Sequence, residues 1–225
     1  MISFEKVVKK FPLGTIALDE VSFELDENDF VFLVGSSGAG KTTILKLILR
    51  DTVPSSGSIM IDDWDISSKQ FKNTIELRRK IGVVFQDFKI LSDKNVFENI
   101  ALGLQVINAP KTEIKKQVKE ALKLVSLTKK EKVFPAQLSA GELQRVAIAR
   151  AIIGDRKILL ADEPTGNLDP KTSWEIMKIF KKLEGKRTII FATHNTDIVN
   201  SLQKRVLVLK EGKIMKDVRK GGYEL

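Results

Sequence analysis

The chain predicts an α/β fold: a mainly parallel sheet, an antiparallel β-subdomain at the N-terminus and an inserted α-helical subdomain. Three observations predict it. Continuous apolar tetrads such as Val31-Phe32-Leu33-Val34 alternate with helical patterns, as parallel strands do when helices cover both faces. Ahead of them, Val21, Phe23 and Leu25 recur at period two, the mark of a half-buried antiparallel strand. Residues 87–137 then lose the strand pattern and take up helical periodicity. The expected organisation is one domain over 1–225, with 1–86 and 138–225 forming the core plus β-subdomain and 87–137 the helical subdomain.

In order, Ile2 to Val8 and Ala17 to Leu25 read as strands separated by the loop Phe11-Pro12-Leu13-Gly14. The Phe11 ring either plugs the sheet edge or meets a ligand. Val31 to Val34 feeds Gly35-Ser36-Ser37-Gly38-Ala39-Gly40-Lys41-Thr42, the pattern G-x-x-x-x-G-K-[ST], and Thr43 to Leu49 reads as the helix behind it. Strand, glycine loop and helix is the context in which that pattern binds phosphate. Glycines let successive amides turn inward, and the helix start adds partial positive charge. Lys41 is then expected on the β- and γ-phosphates, and the Thr42 hydroxyl in a Mg²⁺ shell.

After Pro54-Ser55-Ser56-Gly57, Ser58 to Ile61 reads as a strand, 67–80 as helix-prone, and Ile81 to Phe85 as a core strand ending at Gln86. Residues beyond the carboxyl ends of such strands face ligands. Ile114, Val118, Ala121, Leu122 and Val125 give an amphipathic helix after Pro110. The leading segment of the inserted lobe, Phe88 to Ile100, holds more apolar residues than a surface connection needs; core packing of the lobe accounts for several, and a groove for a partner helix is the other use open to the rest. Ser139 and Glu142 have capping-box spacing at the head of a long helix running to Arg150. Ile158 to Ala161 is a strand that delivers Asp162 and Glu163 before Pro164 stops it. Such a pair beside a phosphate loop can hold hydrated Mg²⁺ and polarise water. Thr172 to Leu183 is helix, Thr188 to Ala192 a buried strand ending at the single histidine, His194, and two short strands close the sheet before the tail Gly221 to Leu225.

With 225 residues the chain can bury an ample core. It holds no Cys, so disulfide frameworks and thiolate metal sites are excluded, and Met1-Ile2-Ser3-Phe4-Glu5-Lys6 lacks a signal-peptide layout. The expected location is the cytoplasmic side of the membrane, peripherally, because no apolar run approaches the ~18 residues of a membrane span. The net charge of +9 suits an anionic surface, but dispersed Lys, one Tyr and two Trp argue against a nucleic-acid platform.

The motifs GSSGAGKT at 35–42, Gln86, LSAGE at 138–142, ILLADE at 158–163, NLD at 167–169 and His194 together resemble the ATP-binding cassette ATPases over nearly the whole chain. Residues 85–101, 161–177 and ATHN at 192–195 are similar, more narrowly, to the cell-division branch of that family, which pairs with the membrane protein FtsX. The resemblance implies a P-loop NTPase (RecA-like) core and Mg²⁺-dependent ATP hydrolysis. It implies further that Phe11 stacks on adenine, that Thr43 joins the phosphate loop in ATP binding, and that Gln86 and Asp162 join Thr42 around Mg²⁺. Glu163 is implied as the catalytic carboxylate and His194 as the γ-phosphate contact, both working with Lys41. Ser139, Ala140, Gly141 and Glu142 would meet ATP held by a second copy, in an ATP-dependent homodimer with Asp169 near its interface. Ala140 departs from the usual Gly of the family signature, which costs nothing if it lies inside the helix. The implied output is movement of an FtsX-like transmembrane protein seated near residues 87–100, controlling cell-wall hydrolysis at the division site. The rivals are an exporter cassette of the MacB or LolD kind, which shares ADEPTGNLD, and a soluble cassette acting on nucleic acid.

Overall fold

The computed structural model describes residues 1–12 and 14–219; the tail from Gly221 to Leu225 lies outside the described residues. In chain order the elements are β1 (Ile2–Lys10), β2 (Ile16–Leu25), β3 (Phe30–Val34), α1 (Lys41–Ile48), β4 (Ser56–Ile61), β5 (Trp64–Asp65), α2 (Thr74–Arg79), β6 (Ile81–Val84), α3 (Val96–Gln105), α4 (Lys111–Leu124), α5 (Ala140–Ile152), β7 (Ile158–Asp162), α6 (Pro170–Leu183), β8 (Thr188–Thr193), α7 (Thr196–Leu202), β9 (Arg205–Lys210) and β10 (Lys213–Val218). They group into two units: Met1–Arg78 with the chain from Glu184, and Arg79–Leu183. The predicted helical segment 87–137 falls inside the second.

In the first unit β1 pairs antiparallel with β2 and with β4, and β4 with β5. The period-two pattern of β2 does what it predicts: Val21, Phe23 and Leu25 are buried while Ser22 and Glu24 between them are exposed. Phe23 stacks on Phe4 with ring centroids 4.5 Å apart. A second set of strands centres on β3, which runs parallel to β8 on one side and β9 on the other, with β10 antiparallel to β9. Every residue of β3 and of β8 is buried, which is why both read as unbroken apolar runs. The α/β class and the antiparallel β-subdomain are as expected.

In the second unit β6 lies parallel to β7, with Val84 opposite Ala161. Helix α5 packs on β6 and is flanked by α3, α4 and α6. Gly82 permits this approach: a Cβ there would stand 1.9 Å from the Ala151 carbonyl oxygen. Ile114, Val118, Ala121 and Leu122 form the buried stripe of α4, as their spacing predicts.

The structure differs from the sequence reading at 67–80, where only Thr74–Arg79 is helical. Asp65 Oδ1 accepts from the Ser67 and Ser68 amides at 3.0 and 3.3 Å, and Ser68 Oγ accepts from Gln70 N at 3.2 Å. These side chains compete for the amides a helix would use. Among the described residues no helix is long and apolar enough to cross a membrane.

Candidate functional site

The first unit supplies a phosphate cradle. Gly38 has φ +79 with open space where a Cβ would be, and Gly40, the N-cap of α1, has φ +112. A Cβ at Gly40 would stand 2.8 Å from the Ala17 carbonyl oxygen, so both conformation and space demand glycine there. Ser36, Ser37 and Gly38 are exposed, whereas Gly35, Ala39 and Gly40 are buried. The first turn of α1 carries no acidic residue, leaving its amides and dipole to an anion. Lys41 is 7% exposed, and its Nζ donates to the Gly35 and Ser36 carbonyls at 2.7 and 3.1 Å. Thr42 is exposed and Thr43 half-buried on the same turn.

Two further predicted residues belong to this unit. Val34 pairs with Thr193, so Gly35 and His194 both leave the sheet at the carboxyl ends of neighbouring parallel strands. That is where ligands of such sheets sit. His194 is exposed. Phe11 is 39% exposed, and the Lys9 ammonium lies 5.2 Å from its ring centroid. The Phe11 turn leads through Ile16 into Ala17, the residue that touches Gly40.

The second unit gathers Gln86, Asp162 and Glu163. Gln86 follows β6 and Asp162 ends β7, so the parallel pair brings them to one edge. Gly166 lies between them: its amide donates to the Glu163 carbonyl at 3.0 Å, and a Cβ on it would stand 3.6 Å from Gln86 Nε2 and 3.7 Å from Glu163 Cβ. Asn167 Nδ2 donates to the Gln86 carbonyl at 3.4 Å. Glu163 has φ +48, a left-handed conformation uncommon for a residue with a side chain and frequent where function fixes geometry.

The predicted capping box is present in the same unit. Ser139 Oγ accepts from Glu142 N at 3.3 Å, and Glu142 Oε2 accepts from Ser139 N at 3.0 Å. Lys130 pairs with Glu142 Oε1 and, with the Ser139 amide, holds that carboxyl below its ordinary pKa. Ala140 is the exposed first residue of α5, in helical backbone, so its methyl meets no conformational cost. Gly141 is different. It is buried, and a Cβ there would stand 2.4 Å from Thr172 Cγ2. Thr172 is held in turn by Asp169, whose Oδ1 accepts from Thr172 N at 3.0 Å and whose Oδ2 accepts from Thr172 Oγ1 at 2.5 Å.

Sequence reasoning missed three side chains that shape this unit. Thr172 is one. Asn99, fully buried, accepts from Leu91 N at 2.9 Å and donates to the carbonyls of Leu91, Lys94 and Asn95 at 3.0, 2.9 and 3.1 Å. Arg150 donates from Nη1 to the Lys89 carbonyl at 2.6 Å and from Nη2 to the Phe88 carbonyl at 2.8 Å. Burial lowers its guanidinium pKa. Phe88 and Lys89 have φ +59 and +49, a conformation that costs about 1–2 kcal/mol per residue for a chain of L-amino acids. An Arg set among Ala147, Ile148, Ala149 and Ala151 on a buried helix was the available signal.

These geometries are those of an ATP-binding cassette, and comparison with known proteins agrees. The ABC transporter family model matches residues 18–166, and the chain belongs to that family as one of its ATP-hydrolysing cassettes. It is 47% identical over 224 residues to "Cell division ATP-binding protein FtsE" of Bacillus subtilis (strain 168), covering 99% of this chain and 98% of that one. The protein of the same name from Escherichia coli (strain K12) is 42% identical over 213 residues, covering 94% and 96%. Among solved structures, the dimeric post-hydrolysis state of the cassette MJ0796 bound to ADP and Pi superimposes with a TM-score of 0.88 at 33% identity, over 99% of this chain and all of that one.

The residues expected at a magnesium ion are divided between the units: Thr42 lies in the first, Gln86 and Asp162 in the second. The donors expected at it, the Thr42 hydroxyl, the Gln86 amide and the Asp162 carboxylate, are all oxygen groups suited to a hard cation. Among the described residues no cluster of three or more His, Cys, Asp or Glu could cage a metal.

Proposed function

We propose that the chain is the ATP-hydrolysing subunit of a cell-division complex, in which two copies close head to tail over ATP and reopen after hydrolysis. The closing motion moves an FtsX-like transmembrane partner on the cytoplasmic side of the membrane, at the division site, and so regulates cell-wall hydrolysis. The observation that carries this reading is the near-full-length identity to proteins named for cell division, joined to a phosphate loop whose glycines hold open the start of α1.

Each residue has a task in this reading. The amides of Gly35 to Thr43 and the Lys41 ammonium hold the phosphates, and Phe11 stacks on adenine with the one ring face that Lys9 does not cover. Thr42, Gln86 and Asp162 would hold Mg²⁺, whose positive charge would offset that of the phosphates during transfer. Glu163 accepts a proton from the attacking water, and His194 donates to the γ-phosphate. Ser139 and Gly141 present the start of α5 to the γ-phosphate on the second copy, so ATP bridges two positive helix ends. Asp169 sits near that interface as the cap of α6. The apolar segment 87–100 receives the membrane partner.

Glu163→Gln tests the mechanism. The variant is expected to bind ATP and accumulate as a dimer while losing turnover at least a hundredfold, read by light scattering and phosphate release. Wild-type turnover would remove Glu163 from catalysis. Purification from native membranes tests the partner: an FtsX-type protein is expected, and an exporter subunit would overturn the cell-division reading.

A further inference from the structure

Helix α5 joins two places that the proposed cycle uses separately. Its N-cap is Ser139, and Arg150 lies in its last turn, about 20 Å of helix spanning 13 residues. At that far end the guanidinium fork reaches the carbonyls of Phe88 and Lys89, which follow Gln86 by two and three residues. Both residues are left-handed and neither is glycine. Local contacts help shape the turn: Lys89 N donates to the Asp87 carbonyl at 2.6 Å, and Lys89 Nζ pairs with Asp87 Oδ2 at 2.6 Å. That ion pair is exposed to water and screened, so it is a weak fastener. The Arg150 fork is partly buried, ionised and aimed at two successive carbonyls, a geometry that Lys cannot reproduce.

We infer that Arg150 is a positioning residue that locks the left-handed pair Phe88–Lys89, so that the loop after Gln86 moves with the signature helix α5 as one body. A displacement of Ser139 by a second copy's nucleotide therefore arrives at residues 88–91 without slack. The effect on turnover rests on the reading that Gln86 serves hydrolysis, whereas the lock itself does not.

The test uses the full chain with Arg150→Met. Hydrogen exchange at the amides of residues 87–92 is expected to accelerate at least tenfold while the buried centre of α5 stays protected. Basal ATPase kcat is expected to fall at least fivefold with the KM for ATP within twofold. Adding Lys89→Gly, which takes up the left-handed conformation without strain, is expected to restore half or more of kcat. Unchanged exchange at 87–92 in Arg150→Met, or exchange there as fast in the double variant as in Arg150→Met, would overturn the proposal. Should Arg150→Met fail to fold, Arg150→Lys keeps the charge and removes the fork; it is expected to show the same exchange and kcat pattern, and wild-type exchange there would refute the lock. Gln86→Ala separates the two readings. Wild-type kcat in it removes Gln86 from hydrolysis, and the exchange measurement still decides the role of Arg150.

Discussion

Gly141→Ala is expected to be costly, although the neighbouring position already carries Ala. A methyl at Gly141 would meet Thr172 Cγ2 at 2.4 Å, far inside van der Waals contact. The Thr172 side chain cannot turn aside without breaking its Oγ1 bond to Asp169 Oδ2, and its backbone is held by the N–H bond to Asp169 Oδ1. Overpacking of this kind costs about 1–3 kcal/mol, so about 2 kcal/mol is a fair expectation. For a chain of this length each kcal/mol lowers Tm by roughly 2–4 °C, giving a fall of about 4–8 °C. Thr172→Ser removes the clashing carbon and keeps the hydroxyl that Asp169 holds. The double variant is therefore expected to recover most of the lost Tm, with a coupling of about 1–2 kcal/mol in the cycle. Thermal unfolding of the four proteins measures this directly, and ATPase assays on the same samples report whether the start of α5 regains its working shape. A double variant as unstable as Gly141→Ala alone would refute the contact.

Two other expectations follow from buried polar groups. Lys41→Ala removes the ammonium that reaches the loop carbonyls and is expected to weaken ATP binding at least tenfold in equilibrium titration; unchanged affinity would detach Lys41 from the phosphates. Gln144 is fully buried, and both its side-chain oxygen and nitrogen lack a hydrogen-bond partner among the described residues. Gln144→Met is expected to raise stability by about 1 kcal/mol, because an unsatisfied buried amide costs about 1–3 kcal/mol, and a fall in Tm would refute that accounting.

The strands that carry the site were legible because they are buried on both faces: β3, β7 and β8 read as apolar runs with the predicted site residues placed at or just past their ends. The capping box at Ser139 was legible because both its members lie within one turn. Features decided by distant partners were not. The two-residue β5 exists through its pairing with β4, and α7 is too short for periodicity to show, with only Ile198 and Val199 buried. The demand for glycine at 141 comes from Thr172 on another helix, and the task of Arg150 comes from carbonyls some sixty residues earlier in the chain. Such contacts leave no periodic trace.

The segment from Phe88 to Asn95 is tied down at both ends, by Arg150 at its start and by Asn99 from Leu91 onward. Leu91 stands 38% exposed on it. A docking helix would meet a surface already ordered, with little loop entropy left to surrender on association, so its affinity would be set by the side chains it brings. Loosening either tie would weaken such a complex without removing a single intermolecular contact.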